Sequence, residues 1–238
     1  MDEPTVLNDD QLSRLRRIWT TEIGRCGRNS QHRILNTIPP LQKHFTSVEG
    51  SMVHLAIEQS LKGVDENLPL DDYPQYKPRL VEELPSLMEK ARIWKETTKV
   101  DLSEAESEVK FEMPIGLGYT LVRSIDILTP EWIIDIKKGK KVQTESRYDV
   151  LISKKMVESA GEGPRKMMIV LLGNDTPVEY EMYGKGKRTS EEVDMNFIEL
   201  GIQNVLLERE MIRTGKQVPC KIDFLCGFCE YRHLCNGV

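Results

Sequence analysis

Between residues 107 and 137 the chain offers three short, β-branched runs, "ESEVKFEMPI", "YTLVRSIDIL" and "EWIIDIK", each broken from the next by Gly or Pro. Runs of this kind predict three strands in a meander. The next fifty residues narrow the fold further. "VQTESRYDVLISKKMVES" reads as a helix, "RKMMIVLLG" as a buried strand, and "PVEYEMY" alternates as another strand. The coarse order of the core is helix, three strands, helix, strand, which is an α/β class. Upstream, Asn8, Asp9 and Asp10 offer a cap before Leu12, Leu15, Ile18 and Trp19, predicting an opening helix that leads to Cys26. A second helix is expected over 47–61, packing through Met52, Leu55 and Ile57, then a surface loop at "GVDENLPLDDYPQYKP" and a helix over 79–98. After the strands, Met195, Ile198, Ile202, Val205 and Leu206 recur near helical spacing, and Gly215 stands where a C-cap is expected. No internal repeat or low-complexity tract interrupts this order.

A chain of 238 residues that is 39% apolar can bury one sizeable core with appended pieces. Its first twenty residues carry Asp2, Glu3, Asp9, Asp10, Arg14, Arg16 and Arg17, and its longest apolar run, 167–172, is far below the roughly 18 residues of a membrane span. A cytoplasmic protein without a membrane partner is the expectation. The net charge of -5 argues against a general nucleic-acid coat, yet Lys137, Lys138, Lys140 and Lys141 form a local basic stretch able to meet phosphate.

In "SIDILTPEWIIDIKKGKK", Asp135 and Lys137 stand two apart on an expected strand, so they share a face while Ile134 and Ile136 take the other. A two-residue turn at Thr129-Pro130 would pair Leu128 with Glu131 and Ser124 with Asp135, leaving Asp126 diagonal to Asp135. Two carboxylates brought together repel unless a cation sits between them, and oxygen ligands suit Mg²⁺ or Mn²⁺. Such an ion lowers the pKa of a water and braces a phosphate, and Lys137 beside it would steady the developing charge. His54, on the second helix after Gly50, offers an imidazole to the same ion and tilts preference toward Mn²⁺. Against this stand the plainer readings of Asp-x-Lys as a solvated strand end and of His54 as a helix-surface residue.

Four of the five cysteines fall in the last 19 residues, with Cys226, Cys229 and Cys235 inside "LCGFCEYRHLC". In a chain of this size, thiolate metal chemistry is favoured over disulfides. A closed site takes four ligands, and Cys26, Cys220 and His233 are the candidates for the fourth.

Gly50 and His54 in G-x-x-x-H, then Asp126, then Asp135 and Lys137 in D-x-K, resemble in kind and order the RecB-like branch of the PD-(D/E)xK nuclease superfamily. Cys26-x-Arg28 with the closing C-x2-C-x5-C is similar to the iron–sulfur nucleases of the CRISPR-associated Cas-four family. The resemblance implies a PD-(D/E)xK core, a mixed central sheet flanked by helices, held by an iron–sulfur clasp joining the two ends of the chain. It implies Mn²⁺ or Mg²⁺ held by His54, Asp126, Asp135 and the Ile136 carbonyl, with Lys137 serving hydrolysis and Glu108 a weaker match to a strand acid. It further implies a [4Fe-4S] cluster on Cys26, Cys226, Cys229 and Cys235, leaving Cys220 as a spare thiol. The family's Q-x-x-x-Y signature is altered here, since Gln143 and Tyr148 stand five apart and Arg147 or Glu145 can take the glutamine place. Gly27 replaces the usual proline after the first cysteine.

The organisation expected is therefore residues 1–46 carrying the first cysteine, a nuclease core at 47–215 with a helical insertion at 63–106, and a cysteine segment at 216–238. The function expected is a metal-dependent deoxyribonuclease, an exonuclease on single strands or overhangs. By resemblance it processes DNA for CRISPR spacer acquisition beside the Cas integrase. Arg25, Arg28, Lys138, Lys140, Lys141, Gln143 and Tyr148 are the candidate DNA contacts. The rivals are a stand-alone phage or repair nuclease of the same superfamily and a non-catalytic, metal-clasped module that only grips DNA or a partner. A cluster joining residue 26 to residue 226 would close a long loop, worth on the order of 5 kcal/mol in chain entropy. Cys26→Ala is expected to abolish the cluster's visible absorbance and lower the melting temperature while Cys220→Ala does neither; the reverse pattern would place the fourth ligand in the tail.

Overall fold

The computed structural model describes residues 7–23, 27–35, 44–64, 67–183 and 190–219, with the side chains of residues 27 and 28 excepted. In chain order its elements are α1 (Asp9–Arg16), β1 (Arg17–Trp19), α2 (Gly27–Leu35), α3 (Phe45–Leu61), α4 (Lys77–Thr97), β2 (Glu106–Gly116), β3 (Tyr119–Leu128), β4 (Trp132–Lys137), α5 (Thr144–Ser159), β5 (Lys166–Leu171), β6 (Val178–Glu181) and α6 (Glu191–Arg213). The chain forms two compact units, Met1–His44 with Glu112–Arg123 and Met195–Val238, and Phe45–Phe111 with Ser124–Asp194.

The second unit is a mixed sheet between helices. β3 and β4 run antiparallel, β4 and β5 parallel with α5 as the crossover, and β5 and β6 antiparallel. That pattern follows from the connections, since a short turn permits only antiparallel neighbours and a parallel pair needs a long crossover. On one face Phe45, Val48, Met52, Val53 and Ile57 of α3 and Leu80, Leu84, Ala91 and Trp94 of α4 pack with Ile127, Ile134, Ile136, Met168 and Val170. α5 packs against β4 and β5 and buries Val150, Leu151, Met156 and Val157. The expected packing positions Met52 and Ile57 of α3 are core residues, while Leu55 is half-buried.

In the first unit α1 begins as its capping residues dictate, with the Asn8 side chain accepting from Gln11 N at 2.9 Å and the Gln11 side chain accepting from Asn8 N at 3.0 Å. The helix does not continue toward Cys26. It ends at Arg16, and Arg17–Trp19 instead pairs parallel to β3, with Ile18 opposite Leu121. Ile18 satisfies a helical apolar spacing and a strand equally well, and burial beside Leu121 decides in favour of the strand. At the far end of α6, Gly215 takes φ +73°, and Lys216 N donates to Met211 O at 2.8 Å, so the glycine closes the helix as its sequence position predicts.

Within this unit the guanidinium of Arg209, wholly buried, donates to Glu22 Oε2 at 2.7 Å. Glu22 also accepts from Trp19 N at 2.9 Å and from the Ser30 hydroxyl at 3.2 Å, so one carboxylate ties β1, α2 and α6 together. Removing one partner of a buried ion pair strands the other charge. Glu22→Ala is expected to cost about 3–5 kcal/mol in urea unfolding, with Glu22→Met combined with Arg209→Met recovering most of it. A single-variant loss under about 1 kcal/mol would mean Arg209 finds water instead.

Candidate metal centre

The turn between β3 and β4 sets the geometry. Thr129 N donates to Trp132 O at 2.9 Å, so the two-residue turn is Pro130-Glu131, one residue later than the Thr129-Pro130 turn expected from sequence. The registered pairs are Ile127 with Ile134 and Leu128 with Ile133, one residue off the expected register, and continuing it would set Asp126 across from Asp135 rather than diagonal to it. The sequence offers Thr-Pro or Pro-Glu as the turn, and a one-residue shift moves every cross-strand partner.

Antiparallel pairs alternate between hydrogen-bonded and non-bonded. Counting from Thr129 and Trp132, the next bonded pair is Ile127 with Ile134, and the one after would join Ile125 to Ile136. The register ends before it. The Ile136 N–H instead donates to Asp126 Oδ2 at 2.7 Å, and the Ile136 carbonyl lies 3.2 Å from His54 Nε2. A side chain from β3 and another from α3 thus take up main-chain groups that a longer ladder would have used.

His54 Nδ1 lies 3.3 Å from Asp126 Oδ1 and 3.5 Å from Glu108 Oε1. The ligand atoms of His54, Glu108 and Asp126 all fall within 4.8 Å of one another. Cis ligands of an octahedral ion at about 2.1 Å stand about 3 Å apart, so two carboxylates and an imidazole gathered this closely could share one divalent ion. Burial by itself lowers the His54 pKa. The charge and hydrogen bond of Asp126 and the hydrogen bond of Glu108 outweigh burial and the opposing Lys137, and raise it to about 10.

Glu108 reaches this group through an unusual backbone. It sits at φ +53°, a region non-glycine residues seldom adopt, and its second carboxylate oxygen accepts from the Ser124 hydroxyl at 2.7 Å. Residue type and order alone rank it below Asp135, because nothing in "ESEVKF" reveals a left-handed residue inside a strand. Asp135 is 2% exposed and accepts from Lys137 Nζ at 2.9 Å. Asp149 of α5 stands 3.9 Å from the same ammonium, a second acid on Lys137 that sequence reasoning passed over. The signal for it was its placement on the helix that follows the lysine.

The candidate DNA contacts separate. Lys138 turns inward, donating to Thr46 O at 2.6 Å and pairing with the buried Glu49 of α3. Lys140, Lys141 and Gln143, the last at the N-cap of α5, are exposed, and Tyr148 is half-buried. Arg147 Nε donates to Asp194 Oδ2 at 3.1 Å, and the Tyr183 hydroxyl donates to the same oxygen at 2.6 Å. Cys26, Cys220, Cys226, Cys229, Cys235, His233, Arg25 and the Arg28 side chain lie outside the described residues. No helix among the described residues is long and apolar enough to cross a membrane.

No protein-family model matches this chain, and no curated protein matches it. Among solved structures, a crystal structure from Eubacterium rectale described as "Putative exonuclease" aligns over 98% of this chain and 100% of its own, with a TM-score of 0.53 and 10% identity. At that identity the likeness concerns the fold alone: this chain has the mixed α/β architecture of that protein.

Proposed function

We propose that the chain is a metal-dependent deoxyribonuclease that hydrolyses phosphodiester bonds at the end of a single strand. The observation that carries this reading is the convergence of His54, Glu108 and Asp126, with the Ile136 carbonyl beside the imidazole and Lys137 on the same strand. The name of the Eubacterium rectale protein supports it by analogy of fold.

In this reading His54, Asp126 and Glu108 would hold Mn²⁺ or Mg²⁺, with Asp135 as a further acid donor and the Ile136 carbonyl serving the imidazole rather than the ion. A bound divalent cation lowers the pKa of a water and offsets phosphate charge. The rest falls to this chain. The Ile136 N–H fixes one oxygen of Asp126 and leaves the other facing His54, and the Ile136 carbonyl orients the imidazole through Nε2. Lys137, held between Asp135 and Asp149, places an ammonium where charge builds on the phosphate oxygens. We assign the four cysteines Cys26, Cys226, Cys229 and Cys235 to a structural [4Fe-4S] clasp on their sequence pattern. The processing of DNA for CRISPR spacer integration, beside the Cas integrase, is the biological setting we propose for the enzyme.

Single-turnover cleavage of an end-labelled single-stranded oligonucleotide with Mn²⁺ tests the reading. Lys137→Ala and Asp126→Ala are each expected to slow it about 10²–10³-fold, chelator to abolish it, and a closed circular strand to survive. Cleavage that persists at full rate in chelator or in Lys137→Ala would remove the site.

The metal and a proton compete for the same cradle. With a pKa near 10 in the metal-free protein, His54 carries its proton at pH 7.5 and must lose it to become a ligand. Titration calorimetry of Mn²⁺ in buffers of different protonation enthalpy should therefore report release of about one proton, and affinity should rise as pH climbs from about 6.5 toward 8.5. Affinity that is flat over this window, with no proton released, would take His54 out of the ligand set.

A further inference from the structure

Beyond the carboxyl ends of the parallel strands β4 and β5 lies a groove of about 470 Å³ whose lining includes Lys140, Lys141, Arg147, Asn174, Val178 and Tyr180. Its walls are two loops drawn tightly together. Gly173 N donates to Gly139 O at 3.2 Å, and a Cβ at Gly173 would stand 2.4 Å from Lys138 O, so only glycine permits this approach. The Asn174 side chain donates to Lys140 O at 3.4 Å, holding the lysine-bearing loop from the other side.

The sheet register ties the groove to Lys137. Lys137 of β4 pairs with Leu171 of β5, and Leu171 pairs with Val178 of β6, so the three form one row across the sheet. Asp135, Ile169 and Tyr180 form the neighbouring row. Paired residues point to the same face, which puts Val178 and Tyr180 on the face of Asp135 and Lys137, two strand spacings or about 10 Å away. Glu179 faces the other way, where it accepts from Trp94 Nε1 at 2.9 Å.

The lining contains three cations and no acid, in a chain of net charge -5. Arg147 is held in place by Asp194, while Lys140 and Lys141 are exposed beside the partly exposed Tyr180. Cationic groups interleaved with an accessible aromatic are the means by which proteins grip single strands, the base on the ring and the backbone on the charges. The volume is on the scale of a nucleotide or two. We propose that this groove seats the DNA strand as it runs from the metal cradle, with a base against Tyr180 and Val178 and its phosphates against Lys140 and Lys141. This rests on the nuclease reading for its direction, and it makes the enzyme selective for unpaired DNA.

The test is fluorescence anisotropy of a labelled oligo-dT strand with the full chain in chelator, where no cleavage intervenes. Tyr180→Ala is expected to weaken single-strand binding about tenfold and Tyr180→Trp to restore it, with duplex binding of the same length unchanged. Lys140→Ala with Lys141→Ala should lower the salt slope by about 1.4. Circular dichroism melts of each variant establish that the fold is kept. Wild-type affinity in Tyr180→Ala, or an equal loss for duplex, overturns the groove even if cleavage is intact. Conversely, a Tyr180-dependent grip on the single strand with no Mn²⁺-dependent cleavage leaves the groove standing and removes the nuclease reading.

Discussion

The parting of β3 from β4 after the pair Ile127 and Ile134 is the constraint on which the site depends. A strand that stops pairing must satisfy its main-chain groups elsewhere, because a buried peptide left without partners costs more than an ordinary hydrogen bond returns. Asp126 and His54 meet that need at Ile136. In doing so they bring a carboxylate and an imidazole to the same point, so the requirement of the backbone and the assembly of the ligand group are one arrangement. Glu108 completes it from β2, and the two carboxylates outweigh burial in raising the His54 pKa.

The second unit supplies the rigidity this arrangement requires. Ile134 and Ile136 anchor β4 in the core beneath α3 and α4, which leaves Asp135 and Lys137 committed to the opposite face by the pleat alone. The Lys138 ammonium then reaches Glu49 and the Thr46 carbonyl of α3, five residues and more before His54 on the same helix. A strand and a helix that must agree on the position of one imidazole are thus joined twice, once at the ligand and once beyond it. Side chains held this way keep their geometry without reorganisation.

Much of this was legible in the sequence, and the failures have physical reasons. The three strands, the crossover helix and the Gly215 cap follow from local chemistry, in which β-branched runs, turn residues and helical spacing leave little freedom. The candidates His54, Asp126, Asp135 and Lys137 follow from residue type and order, and the structure gathers His54 and Asp126 of them with Glu108. Their neighbours were not. The turn at Pro130-Glu131 competes with Thr129-Pro130 on nearly equal terms, and the choice is made by how β4 packs between β3 and β5. The strand at Arg17–Trp19 owes its existence to a partner a hundred residues away, which no local window contains. Lys138 looked like one more cation in a basic stretch, and only the position of Glu49 makes it an internal tie.

The left-handed backbone of Glu108 has an evolutionary corollary. Glycine would relax that position by removing the clash of a Cβ, and asparagine would ease it, so selection for robustness alone favours replacing the glutamate. Only a demand for a carboxylate at that spot opposes the drift. If the proposed metal chemistry is that demand, residue 108 acts as a recorder: lineages that have shed the chemistry while keeping the scaffold should lose this acid early, well before the buried Asp135.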